Sequence, residues 1–239
     1  MTRSRSIALG LVIVAAVAVG GYVVYDQVLH GDSVGALGLP SASSGSGSSA
    51  RPAASFDGVV AGTWTVASGS QAGYRVREQL ANLPAESDAV GRTSDVTGTI
   101  TLATSGSTTT LTAGSIGVDT TTIASDKTMR DNRLRNEGLQ TDTFKTATFK
   151  LTAPVAIPAA ALAGTASDVT LTGDLTLHGV STSVQIPAKA QLVDGQIQVA
   201  GSITFPLSDY SIVAPNVGGF IVSIADQGSL EFVALFSKG

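Results

Sequence analysis

Residues 168–206 read DVTLTGDLTLHGVSTSVQIPAKAQLVDGQIQVAGSITFP, and this stretch decides the fold class. Apolar and polar residues alternate through three consecutive runs, and Val193-Asp194-Gly195 separates the last two. Alternation at a period of two, rich in β-branched residues, is typical of strands that bury one face. An Asp-Gly step between two such runs indicates a hairpin. The stretch therefore predicts strands near residues 168–177, 183–192 and 196–206.

The same pattern extends outward to both sides of this stretch. It predicts further strands near residues 63–67 with 73–78, and near 93–103, 108–118, 147–153 and 229–237, about eight in all. Helical pieces are expected only at residues 124–136, before Gly138, and as a single turn near 159–163. Because no long helix separates the strands, we expect an all-β antiparallel domain that resolves its edges by sandwiching or by closing into a barrel.

The last predicted strand differs from the others. Residues 230–236 read LEFVALF, and apolar side chains occupy both of its faces. A strand with one face in water does not need this pattern. We therefore expect a barrel strand with a packed or lipidic interior and a covered exterior.

The N-terminus carries a membrane signal. Residues 7–25 read IALGLVIVAAVAVGGYVVY, nineteen residues without a charge, and Arg3 and Arg5 precede them. At about 1.5 Å per residue this run is close to the thickness of a hydrocarbon core. We predict a transmembrane anchor within residues 1–28, with the N-terminus in the cytoplasm and the remainder outside it. The alternative is a cleaved signal peptide and a secreted protein, which also places the remainder outside.

A linker follows the predicted anchor. Residues 41–50 contain six Ser, two Gly and two Ala, a composition that buries too little apolar area to offset the entropy of ordering. We therefore predict a flexible linker over residues 29–55 and one globular domain over residues 56–239.

Composition excludes several classes of function. The chain of 239 residues has no Cys and two His, which excludes disulfides and Cys-ligated metals and argues against a metal site or metal cofactor. Its 14 Lys and Arg against 18 Asp and Glu give a net charge of −4, so we expect no nucleic-acid binding.

Six short blocks occur in a recognisable order along the chain. They are GTWTV at 62–66, YRVRE at 74–78, VTGTI at 96–100, RDNRLR at 130–135, TFKTATFK at 143–150 and GDLTLHGVS at 173–181. With these blocks the chain resembles the YceI family, the lipocalin-like polyisoprenoid-binding proteins of bacteria. The segment 206–220 departs from the family pattern.

The resemblance implies an elongated antiparallel barrel whose apolar tunnel holds an isoprenoid chain, such as a polyprenyl chain, a quinone or a carrier lipid. Candidate lipid-binding residues are Trp64, Tyr74, Phe144, Phe149, Leu177, Phe205 and Phe220. For Trp64 and Tyr74 the alternative is ordinary core packing. Phe144 and Phe149 lie five apart, so we expect only one of them to face the tunnel. Small inward residues leave space for a ligand: Ala188, Ala190, Gly201 and Ala234.

A basic cluster is the candidate headgroup site. Arg130 and Asp131, with Arg133 and Arg135, could meet a phosphate headgroup at the barrel rim. The alternative is an Arg–Asp pair that organises a surface helix. His178 is a further headgroup candidate, although its place at a strand end favours a hydrogen bond within the turn.

Two functional hypotheses from different classes remain. The first is binding of isoprenoid lipids at the outer side of the cytoplasmic membrane, with contact to that membrane through residues 7–25. The second is a ligand-free extracytoplasmic β-domain that binds another protein. The sequence predicts no enzyme, since Ser181, Ser183 and Asp174 lie beside His178 without a nucleophile elbow. The sequence does not decide whether the chain forms a homodimer.

Overall fold

The structure, a computed structural model, describes residues 34–40, 58–80, 86–214 and 221–239. The predicted anchor at residues 7–25, most of the linker and Phe220 lie outside these described residues. None of the helices within the described ranges combines the length and the apolar character needed to span a bilayer.

The described residues form a single twelve-stranded sheet and two short helices. The strands are β1 Gly62–Val66, β2 Gln71–Leu80, β3 Glu86–Thr93, β4 Val96–Ser105, β5 Thr108–Asp119, β6 Ala124–Ser125, β7 Thr146–Leu151, β8 Val155–Ile157, β9 Ser167–Leu177, β10 Val180–Val193, β11 Gln196–Pro206 and β12 Ile221–Lys238. The helices are α1 Thr128–Arg133 and α2 Ala159–Leu162.

Eight of the described strands close into a barrel. Their order is β1-β4-β5-β7-β9-β10-β11-β12, and β1 pairs with β12 to complete the ring, with Trp64 opposite Lys238. Every pairing is antiparallel. The prediction of an all-β antiparallel barrel of about eight strands is therefore confirmed, and of the two arrangements that the sequence left open the barrel is found.

The two ends of the barrel differ. The last residues of β12 pair with β1, whereas Ile221–Val233 pair with β2, which continues the sheet into β3 and β6. We call the end at which β2, β3 and α1 lie the mouth. At the opposite end, the closed end, Trp64, Leu102, Leu192, Ile197 and Phe236 pack into a buried cluster.

One predicted helix was displaced, and one strand was not predicted. The predicted helix 124–136 begins only at Thr128, because Ala124–Ser125 pair with β3 as strand β6. It continues as a π-helical turn at Leu134–Gly138, so Gly138 is its last residue rather than the stop beyond its end, and the left-handed residue that follows is Gln140. Strand β3 was not predicted, because its inward positions hold small residues and show no apolar period.

Residues 34–40, inside the predicted linker, lie against the outer wall of the barrel. The half-buried side chains of Leu37 and Leu39 pack on an outward patch formed by Ala200, Val233 and Leu235. The inward face of the same strand is formed by Phe232, Ala234 and Phe236, which lie in the interior. The expectation of a last strand with a covered exterior and apolar side chains in the barrel interior is therefore confirmed, and we call residues 34–40 the strap.

Candidate functional site: an apolar cavity with a polar rim

The barrel encloses a cavity of about 580 Å³. This volume lies within the range of roughly 300–1,000 Å³ that is typical of ligand pockets. Aliphatic and aromatic side chains from several strands line most of it, among them Ile116, Phe149, Leu175, Ile203, Leu230 and Phe232. The exposed side chains of Lys127 and Met129 also belong to the lining, so the cavity reaches the surface beside α1.

Small residues that face inward keep the interior hollow. Only some of the small residues that the sequence analysis named have this role. Ala234 lines the cavity, and so does Gly114, where a methyl group would meet only ordinary contacts at 3.5 Å or more. At Gly201 and Ala188 the space is instead filled by the ring of Phe232, which packs against both.

Two aromatic rings lie flat along the wall because a glycine faces each of them on the neighbouring strand. The ring of Tyr74 covers Gly91, and the ring of Phe149 covers Gly173. At Gly173 an added Cβ would lie 2.4 Å from the carbonyl oxygen of Lys150, so no larger residue fits without moving the backbone. Glycine in a strand interior often marks such a close approach.

Four of the predicted lipid-binding residues line the cavity: Tyr74, Phe149, Leu177 and Phe205. The ring of Phe205 is buried and meets Tyr210 edge-on, with 4.9 Å between the ring centroids. Phe220 lies outside the described residues.

Trp64 and Phe144 do not line the cavity. The indole of Trp64 is fully buried in the closed-end cluster, and its Nε1 donates a hydrogen bond to the Val60 carbonyl at 2.8 Å. Core packing, the alternative reading, therefore describes Trp64. Phe144 precedes β7, and its ring packs on His178 with 4.3 Å between centroids. Only Phe149 of the pair faces the interior, as the spacing predicts.

Of the three headgroup candidates, only one lines the cavity. Arg130 lines the mouth of the cavity, whereas Asp131 and His178 do not. The buried Asp131 carboxylate accepts hydrogen bonds from the backbone N–H and the hydroxyl of Ser125, at 3.0 and 2.6 Å, and so fixes the start of α1. His178 lies in the β9–β10 turn, where its Nδ1 bonds to the Tyr210 carbonyl at 3.0 Å. Asp131 therefore bonds Ser125 instead of forming the alternative Arg–Asp pair, which Arg130 makes with Asp126, and His178 bonds a carbonyl outside its own turn.

Sequence reasoning missed Glu78, which is a buried acid at the cavity wall. Its carboxylate is paired with Arg130, whose guanidinium also contacts Asp126. The available signal was the inward series Tyr74, Val76, Glu78 on β2, in which one acid continues an otherwise uncharged face. A carboxylate in such a place needs a cationic partner.

The Tyr74 hydroxyl completes a polar spot beneath α1. It is buried and has no hydrogen-bond partner among the described residues. Burial raises the pKa of Tyr74 to about 12, so the hydroxyl stays neutral at physiological pH. Burial also lowers the pKa of Arg130, but the hydrogen bonds and charges of Glu78 and Asp126 outweigh it and hold that pKa above its ordinary value.

Among the described residues, the mouth carries no surplus of positive charge. Lys127, Arg130 and Arg133 contribute three cationic groups, and each lies within 4 Å of an acid. The acids that face them number three as well: Glu78, Asp126 and Glu137. The site is thus a deep apolar chamber with a neutral, hydrogen-bonding rim.

Comparison with solved structures finds the same fold in two bacterial proteins. A polyisoprenoid-binding domain from Saccharophagus degradans superposes with a TM-score of 0.57 and 19% identity, covering 75% of this chain and 99% of that one. BcnA from Burkholderia cenocepacia superposes with a TM-score of 0.52 and 17% identity, covering 71% and 96%. Comparison with curated proteins found no match.

The YceI-like domain family matches residues 64–236. This match runs from within β1 to near the end of β12, and so takes in nearly all of the closed barrel. Since it covers well over half of the sequence, the chain belongs to the family of YceI-like domains.

Proposed function

We propose that the barrel binds one isoprenoid-tailed lipid, without converting it chemically, for storage or transport at the outer side of the cytoplasmic membrane. The observation that carries the proposal is the cavity of about 580 Å³ with an almost entirely apolar wall. Each CH₂ group that leaves water for such a wall contributes about 0.8 kcal/mol. A tail of a few isoprene units therefore retains a large surplus after the loss of translational and rotational freedom on binding.

The hollow interior also supports the first of the two functional hypotheses of the sequence over the second. A β-domain that serves only to bind another protein gains stability from a filled core, since interior voids are destabilising. Here Gly114 and Ala234 leave space where larger side chains would fit a wall of this kind. The fold shared with the Saccharophagus degradans polyisoprenoid-binding domain supports the same choice.

The rim favours a neutral headgroup over a phosphorylated one. Arg130 is already paired with Glu78 and Asp126, so a phosphate would compete with two carboxylates for the same guanidinium. The Tyr74 hydroxyl is free to donate a hydrogen bond to a carbonyl or hydroxyl oxygen. We therefore propose a quinone or a prenol, rather than a prenyl phosphate, as the ligand class.

Lipid extraction from the purified full-length chain tests this proposal. We expect mass spectrometry to recover a neutral isoprenoid lipid, close to one molecule per chain. A matched pair of variants separates lipid in the cavity from lipid held elsewhere. Gly114→Leu fills the interior, whereas Gly117→Leu makes the same change on the outward face of the same strand.

The expected result is loss of the isoprenoid from Gly114→Leu and its retention in Gly117→Leu. Equal isoprenoid content in the two variants, or none in the unmodified chain, contradicts the proposal. Recovery of a prenyl phosphate in place of a neutral lipid overturns the headgroup assignment alone.

A further inference from the structure

The strap runs along the outer wall in a defined direction. The carbonyl of Val34 accepts a hydrogen bond from Arg75 at 2.7 Å, and that of Gly35 accepts one from Arg92. The N–H of Leu37 then donates to the Glu231 carboxylate at 3.1 Å. These partners lie at the level of residues 229–231 on β12. Arg75 of β2 lies opposite Ser229, and Arg92 of β3 lies opposite the β2 residue that pairs with Glu231.

The leucine side chains of the strap lie farther along the same strand. Leu37 and Leu39 pack on Val233 and Leu235, which are closer to the closed end. As the chain proceeds from Val34 to Leu39 it therefore moves from the mouth toward the closed end. The N-terminal end of the strap points to the mouth.

A buried charge cluster holds the strap in this position. The Glu231 side chain is 4% exposed and is paired with Arg92 at 2.9 Å and Arg75 at 3.5 Å. The Leu37 amide supplies a further donor to this carboxylate. The strap thus completes the coordination of a buried acid, which specifies one docking geometry better than apolar contact alone.

The docked strap shortens the connection to the predicted anchor. The apolar run ends at Tyr25, and only residues 26–33 separate it from Val34. Nine extended steps reach at most about 30 Å. If the strap were undocked, the connection would run to Val59 and could reach about 120 Å. With the strap in place, the tether joins the barrel at Val34, on the mouth side of the outer wall.

The surface at the mouth suits a lipid bilayer. Val213 is 74% exposed and Met129 is 65% exposed, and both lie at the cavity opening, where Met129, Ile212 and Ala214 belong to its lining. Lys127, 63% exposed, lies beside them. Two apolar side chains and one lysine bind a bilayer weakly by themselves, but a short tether raises their effective concentration to the millimolar range.

From these observations we infer that the strap fixes the mouth of the barrel against the membrane, so that a lipid passes between bilayer and cavity without crossing water. The inference rests on the proposed function and on the predicted anchor. It adds the orientation of the barrel, the surface that meets the bilayer, and the segment that sets both.

Fluorescence quenching on the full-length chain tests the inference, because the chain has no native cysteine to interfere. One variant, Val213→Cys, carries a bimane label at the mouth. A matched variant, Ser107→Cys, carries it in the exposed β4–β5 turn at the closed end. Both are reconstituted in phosphatidylcholine vesicles that contain a nitroxide-labelled lipid as quencher.

We expect loss of fluorescence at Val213→Cys and none at Ser107→Cys. Adding Leu37→Ser and Leu39→Ser releases the strap and should abolish the difference between the two sites. Equal quenching at both sites, a difference that survives release of the strap, or a chain that does not stay with the vesicles overturns the inference. Isoprenoid content is measured on the same samples, so that the proposed function and the proposed orientation are tested separately. A barrel that contains the isoprenoid but shows equal quenching at both sites contradicts only the orientation.

Discussion

At the scale of the single residue, Tyr74 shows how the wall combines apolar packing with one polar group. Its ring lies over Gly91, and its hydroxyl is buried beside the Arg130–Glu78 pair. The neutral hydroxyl is a hydrogen-bond donor in a place where water is largely excluded. It is therefore suited to recognise a ligand oxygen, and its ionisation is correspondingly unfavourable.

The raised pKa of Tyr74 predicts a loss of stability in alkaline solution. Folding raises this pKa from 10.0 to about 12, which means that the native state favours the neutral form. The resulting stabilisation is complete below pH 10 and is lost as the pH rises toward 12. Tyr74→Phe keeps the ring but removes this titration.

Urea denaturation at about pH 9 and about pH 11 measures the effect. The unmodified chain should lose more unfolding free energy between the two conditions than Tyr74→Phe does. Burial also raises the pKa of Tyr210, and this effect is present in both proteins. It therefore contributes equally to the loss of unfolding free energy in each. Identical losses in the two proteins would show that Tyr74 does not contribute.

The sequence predicted the positions of some site residues correctly and those of others wrongly, and each outcome has a physical reason. The strand period predicted that only one of Phe144 and Phe149 faces the interior, because a five-residue spacing puts the two on opposite faces, but it did not say which one. It did not separate Trp64 from the cavity, because inward side chains at the closed end and at the cavity share one period. Glu78 was missed because its partner Arg130 lies 52 positions away, and such a pairing is visible only in three dimensions.

At the scale of the element, β12 is the strand that connects the whole structure. Its inward face forms part of the cavity, its outward face holds the strap, and its edges pair with β11, β1 and β2. The apolar residues on both of its faces already indicated in the sequence that both faces are covered. The element that covers the outer face was not predicted, because a short segment with two leucines has no period long enough to read.

Glu231 is the residue of β12 through which strap and barrel stabilise each other. Glu231→Ala leaves Arg75 and Arg92 without their buried partner and removes the acceptor of the Leu37 amide. We expect a loss of about 2–3 kcal/mol in unfolding free energy, typical of hydrogen bonds to a charged group. We also expect faster limited proteolysis within residues 34–40.

The matched control is Glu86→Ala on β3. Glu86 pairs with Arg77 at 3.6 Å, but both side chains are more than half exposed. Such a pair contributes about 0–1 kcal/mol, so the control should keep both its stability and the protection of the strap. Equal behaviour of the two variants would contradict the role given to Glu231.

At the scale of the whole molecule, the barrel is an apolar chamber with one plugged end and one open end. The sequence predicted the class of fold because alternation, turns and family blocks all agree. It did not give the interior volume, because that depends on how side chains from neighbouring strands fill the space inside the barrel. The filling of Gly201 and Ala188 by the ring of Phe232 is an example, since these residues come from three different strands.

Photolabelling is the most direct test of the central claim that an isoprenoid tail occupies this chamber. The full-length chain is illuminated with a diazirine-bearing geranylgeraniol, and the modified residues are mapped by mass spectrometry. We expect labels on inward residues such as Ile116, Phe149 and Leu175, and their disappearance when unlabelled geranylgeraniol competes. Labels confined to residues 7–25 or to the outer wall, or labels that do not respond to competition, would contradict the claim.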